Sequence, residues 1–137
     1  MAGRERGPRA TPTLHQRPTR RRRDAERRGR RAEWMAACAL LAKGYKIAAL
    51  RYRCAQGEVD LIARRGDLVA FVEVKARRDL AGGIDAVTAT AQRRIAAAGC
   101  HWLARQGDRD RLSWRLDLVV VRPWRWPLHL PGAFEAG

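Results

Sequence analysis

The chain has 137 residues, 46% of them hydrophobic, enough for one domain with a core and too apolar for a disordered chain. Its 29 Lys and Arg against 14 Asp and Glu give a net charge of +15, which points to a polyanionic partner, a nucleic acid before any other, while saying nothing about sequence preference or chemistry. Cys38, Cys54 and Cys100 are odd in number and widely separated, which excludes a CxxC zinc ribbon and a disulfide scaffold and reads as reduced thiols of a cytoplasmic protein.

The charge is uneven. Residues 1–31 hold 12 Arg against Glu5, Asp24 and Glu26. Residues 1–23, rich in Arg, Pro, Thr and Gly, bury too little to offset ordering, so a disordered basic tail is expected ahead of one domain spanning 24–137. Trp34 to Ala42 is the only uninterrupted apolar run of note. It is far too short to cross a bilayer, and the long basic stretch before it argues against a secretory signal, so no membrane partner is expected. From Asp24, a candidate cap, the periodicity of Trp34, Ala37, Cys38 and Leu41 predicts a helix closed by Gly44. Glu33 lies at the edge of its apolar stripe, either paired with a neighbouring Arg or aimed at the core side. Tyr45 to Tyr52 reads as the first strand, and Arg51 and Arg53 form a basic rim leading to Gly57.

The segment GEVDLIARRGDLVAFVEVKAR, residues 57–77, predicts two strands around a two-residue Gly66-Asp67 turn. Such a turn sets opposite each other residues whose numbers sum to 133, which places Asp60 across from Glu73. Lys75 shares their face, and Val59, Leu61, Val72 and Val74 take the other. Two carboxylates held about 5 Å apart repel. Either Lys75 neutralises them in a purely ionic cluster, or a cation does. Hard oxygen donors without His or Cys favour Mg²⁺ or Mn²⁺ over zinc.

Residues 79–85, with Gly82-Gly83, read as a loop, followed by a helix from about Val87 to Arg105. Its inner face carries Gln92, Ile95, Ala96, Gly99 and Leu103. Gln92 is placed to orient a water or phosphate, or to bond backbone. His101 is expected to pack beside Trp102. Trp114 to Val121 is a further strand on which Arg115 and Asp117 share a face, ended by Pro123. The remaining tail reads as irregular, and its aromatics, Trp124 and Trp126 among them, either cover a sheet edge, the expected role, or stack on bases. There is no Gly-rich phosphate loop, and nothing supports a Ser or Cys nucleophile with a positioned His.

Taken together, GRRAE at 29–33, Gly44-Tyr45, RYRCAQGEVDLIARRGD at 51–67, FVEVKAR at 71–77, QRRI at 92–95, RLDLVVV at 115–121 and Ala133-Phe134 resemble the YraN-like family of small bacterial proteins. That family is placed in the restriction-endonuclease-like superfamily with the Holliday-junction resolvases. The resemblance implies an α/β fold, a mixed β-sheet flanked by helices, with Asp60 and Glu73-Val74-Lys75 as a PD-(D/E)xK nuclease signature. It adds Glu33 as an acid from the first helix and Gln92 as a helix residue near the site. The activity it implies is metal-dependent phosphodiester hydrolysis. For that activity Asp60, Glu73 and Glu33 are the expected ligands of Mg²⁺ (or Mn²⁺), with Lys75 assisting, and the cations Arg51, Arg53, Arg77 and Arg93 are expected to hold flanking phosphates. DNA is favoured over RNA as partner, and homodimerisation is left open. The rival is a nucleic-acid-binding protein on the same scaffold that does not cut. Three departures from the family pattern stand out: Leu116 for Phe, Ala91 for a basic residue, and Arg51 for Asn.

Overall fold

The computed structural model of the protein describes residues 19–134. Helix α1 runs Arg20–Ala42, capped by the Thr19 hydroxyl, which accepts from the Arg22 amide at 3.4 Å. The cap expected at Asp24 is therefore a turn too late. Arg20 to Arg23 are helical, whereas residues 1–18 of the expected tail lie outside the described residues. Apolar periodicity missed this turn because its side chains are all exposed, and a solvated helical turn leaves no apolar stripe. At the other end Gly44 adopts φ 88°, a left-handed stop, and the amides of Gly44 and Tyr45 close on the Leu41 and Leu40 carbonyls.

Five strands follow: β1 Lys46–Cys54, β2 Gly57–Arg65, β3 Leu68–Ala76, β4 Ser113–Val121 and β5 Leu128–Phe134. They pair in sequence order, antiparallel except for the parallel β3–β4 step. Parallel strands require a crossover, here supplied by helices α2 Leu80–Asp85 and α3 Ala89–Leu103. Helix α1 covers one face through Ala32, Ala36, Ala37 and Leu40 against Leu61, Val72, Val74 and Val119. On the opposite face Val87, Ile95 and Ala98 pack with Ile62, Phe71, Leu118 and Val120. This is the mixed sheet between helices that the resemblance implies.

Two glycines set how close the second layer comes. A Cβ on Gly99 would lie 2.4 Å from the Phe71 ring, and one on Gly57 would lie 2.1 Å from the Arg94 carbonyl oxygen. The glycine that opens GEVD is thus what lets α3 rest on the start of β2. The expected loop at 79–85 is instead helix α2, whose cap Asp79 accepts from the Gly82 amide at 2.7 Å. Its glycines suggested flexibility, but Gly83 is buried against Val120.

The tail is not irregular either, since Leu128–Phe134 adds β5 to β4. As an edge strand it tolerates Pro131. Trp124 and Trp126 cover no sheet edge and are exposed. Strand β5 also brings in His129, for which the sequence suggested no role. Asp117, the one charged residue that is fully buried among those described, accepts from Arg115 Nε at 2.7 Å, His129 Nε2 at 2.7 Å and the Gly132 amide at 2.9 Å. Because the Lys43 ammonium donates to His129 Nδ1 at 2.9 Å, Nε2 carries the ring proton and donates to Asp117. Arg115 reaches on to the Tyr45 hydroxyl. The network ties both C-terminal strands to the chain leaving α1.

Candidate active site

The β2–β3 hairpin has the register that its turn demands: Leu61 pairs with Val72, Ile62 with Phe71, and Arg65 with Leu68. The ladder stops at Leu61–Val72. One residue beyond, the Asp60 carboxylate takes the place of a strand partner and accepts the Val74 amide at 2.9 Å. Strand β2 also changes face here. Val59 packs with the α3-side core while Leu61 packs with the α1-side core, so the expectation that both share one face fails at Asp60. The neighbouring strand is irregular at the same point. Leu50 pairs with Leu61 and Tyr52 with Val59, and Arg51 between them has φ 49°. Left-handed backbone is a conformation that Asn adopts far more readily than Arg, which gives a physical reason for the Asn that the resemblance expects at 51.

Asp60 lies close enough to Glu73 for its charge to act on the Glu73 carboxyl, and the Lys75 ammonium stands 3.1 Å from Glu73 Oε1. Burial, then the charge of Asp60, pushes the Glu73 carboxyl up to about 7, against the pull of Lys75. Asp60 is raised as well, by burial first and by the charge of Glu33, with the Val74 amide and Lys75 opposing. Both carboxylates are thus held where negative charge is costly and a proton or a cation is welcome.

Glu33 comes from α1 close enough for its charge to act on Asp60, yet its Oε2 is 2.7 Å from Arg51 Nε. Among the described residues no three His, Cys, Asp or Glu side chains stand together as a metal-binding group. Asp60 and Glu73 nonetheless have the donor chemistry that a small hard dication takes, with surplus negative charge and no His or Cys nearby. Two of the three expected ligands therefore fit, and the third is engaged elsewhere.

The other expected residues are scattered. The Gln92 side-chain amide donates to the Val87 carbonyl at 3.3 Å and so ties down the start of α3 instead of bonding to the acids. Arg93 is exposed and donates to Thr90, and Arg53 pairs with Glu58 at 3.3 Å. Arg77 is exposed beside the end of β3 and lines a groove with Lys75. Arg122, Trp34 and Trp124 of the same groove were not singled out as site residues by the sequence. The one legible sign was the basic and aromatic alternation of RPWRW at 122–126.

Such a site, an acid pair and a lysine where two antiparallel strands part beside a parallel step, belongs to a small mixed α/β protein. The chain belongs to the family described as "Uncharacterised protein family UPF0102", which it matches over residues 32–121, so the YraN-like resemblance holds. It is 57% identical over 121 residues to a UPF0102 protein of Mesorhizobium japonicum, covering 88% of this chain and 97% of that relative. It is 60% identical over 119 residues to one of Rhizobium meliloti, covering 87% and 98%. No helix among the described residues is long and apolar enough to cross a membrane.

Proposed function

We propose that the protein is a metal-dependent endonuclease that hydrolyses phosphodiester bonds, of DNA ahead of RNA. The observation that carries this reading is the Asp60–Glu73 pair, two half-buried carboxyls close enough for the charge of Asp60 to act on Glu73, with Lys75 3.1 Å from Glu73. Asp60 and Glu73 would hold Mg²⁺ or Mn²⁺, with Glu33 joining them when Arg51 releases it for a phosphate. When bound, the ion supplies charge neutralisation and a water of lowered pKa. Lys75 contributes a fixed positive charge beside the acids, suited to the charge that builds on the phosphate as it is attacked. Arg51, Arg53, Arg77 and Arg93 are exposed cations for flanking phosphates. The Arg51–Glu33 ion pair favours the rival, a protein that binds nucleic acid without cutting.

The test is a panel of branched, nicked and single-stranded substrates with each metal. Wild type is expected to cleave at least one of them, and Glu73→Gln or Lys75→Ala to slow cleavage by a hundredfold or more. Cleavage indifferent to both changes would falsify the assignment. A calorimetric Mn²⁺ titration that shows no binding selects the rival.

A further inference from the structure

Three of the five tryptophans stand in water: Trp34 is 68% exposed, Trp126 64%, and Trp124 fully. All three line one open groove of about 1230 Å³ between α1 and the β4–β5 connection, and its wall includes Val74, Lys75 and Arg77 at the end of β3. The groove therefore runs past the end of β3, where Lys75 is the one residue it shares with the acidic site. Its lining contains six arginines and Lys75, and no Asp or Glu. Arg122 Nε is buried there and finds no acceptor, which is costly for a charged donor unless an anion completes it. Trp124 has φ 59°, a left-handed conformation that a bulky side chain adopts only at a cost. The fold thus accepts local strain at a residue that it leaves wholly in solvent.

Cations interleaved with exposed indoles suit an occupant that offers anions and flat apolar faces together. A second copy of this chain would set cations against cations, and residues 1–18 carry four arginines and one Glu, the wrong charge for this groove. A duplex offers phosphates but keeps its bases stacked inside. The geometry points to a single-stranded nucleic-acid segment in the groove, with unpaired bases stacked on Trp124, Trp34 and Trp126 and phosphates on Arg122, Arg28 and Arg77. This deepens the nuclease reading and rests on it for the substrate class. The bond presented to Asp60 and Glu73 would lie next to an unpaired stretch, as in a flap, a gap or the crossing strands of a branch.

Binding can be separated from cutting by working in EDTA with the full chain. Fluorescence anisotropy of a labelled 15-mer of thymidine is compared with that of a labelled 15-base-pair duplex. The wild type is expected to prefer the single strand and to lose tryptophan emission on binding it. Because Trp124 touches solvent on all sides, Trp124→Ala should leave the fold intact. It should weaken single-strand binding about tenfold, with a larger loss in Trp34→Ala/Trp124→Ala, while duplex binding changes little. Unchanged single-strand binding in the double variant, or equal loss on both probes, overturns the groove assignment. So does Trp-dependent binding to phosphatidylglycerol vesicles without Trp-dependent binding to the 15-mer, which would make this a membrane-facing surface. Metal-dependent cleavage that survives loss of the tryptophans leaves the nuclease reading standing alone. Trp-dependent binding with no cleavage on any substrate does the reverse.

Discussion

Glu73→Gln tests the acid pair without any substrate. Gln is nearly isosteric and still accepts from Lys75, while removing the charge that burial resists. In the wild type the Glu73 carboxyl rises from its ordinary 4.5 to about 7. The folded protein therefore holds a proton there after the unfolded chain has released it, and stability falls as pH rises between these values and is flat above them. At about 1.4 kcal/mol for each tenfold in proton affinity, the loss is about 3 kcal/mol. For a chain of this size that is about 10 °C in melting temperature. Thermal unfolding of both proteins in EDTA from pH 5 to pH 8 should show curves that converge at the acid end and separate with rising pH, the variant being the more stable. Mn²⁺ should then raise the wild type at pH 8 and leave the variant nearly unmoved. Curves that stay parallel across the range would mean that Glu73 bears no electrostatic strain, and the case for a cation-seeking site would fail.

Two further outcomes follow from neighbouring residues. Asp117→Asn turns an amide toward donors now met by carboxylate oxygens from Arg115, His129 and Gly132. It should cost about 3–5 kcal/mol in urea unfolding, the range for breaking a buried charge pair. Burial resists the Asp117 charge, but His129, Arg115 and the Gly132 amide together hold its pKa below the ordinary value. The resulting stability is present above the unfolded pKa and lost as pH falls through the folded one, so the variant should lose less than wild type on acidification below about pH 4. Arg51→Asn relieves a left-handed Arg and frees Glu33. Mn²⁺ should bind more tightly in calorimetry, and an unchanged or weaker affinity would remove Glu33 from the ligand set.

Residue spacing alone fixed the hairpin register, since a two-residue turn leaves one pairing and alternation then puts Glu73 and Lys75 together. The resemblance carried Glu33 to the site, but not the Arg51 that occupies it. That ion pair, like the role of His129 beside Asp117, joins residues 18 and 12 positions apart, across elements whose packing no local pattern encodes. Helix α2 and the first turn of α1 were missed because a Gly-Gly step and an all-polar turn carry no apolar period. Strand β5 was missed because Pro127 and Pro131 mask an edge strand.

The chain by itself determined the identities and the order of its acids and lysine, and a net charge of +15. Only the tertiary structure decided how those residues meet. Strand β2 turns over at Asp60, so its carboxylate caps Val74 instead of completing the ladder. Packing α1 and the β4–β5 connection on the same side of the sheet gathers tryptophans and arginines distant in sequence into one groove that runs past the end of β3. Alternation can say which side chains share a strand face. It cannot say where strands part or which distant elements border the gap, because those depend on the layers closing over one another.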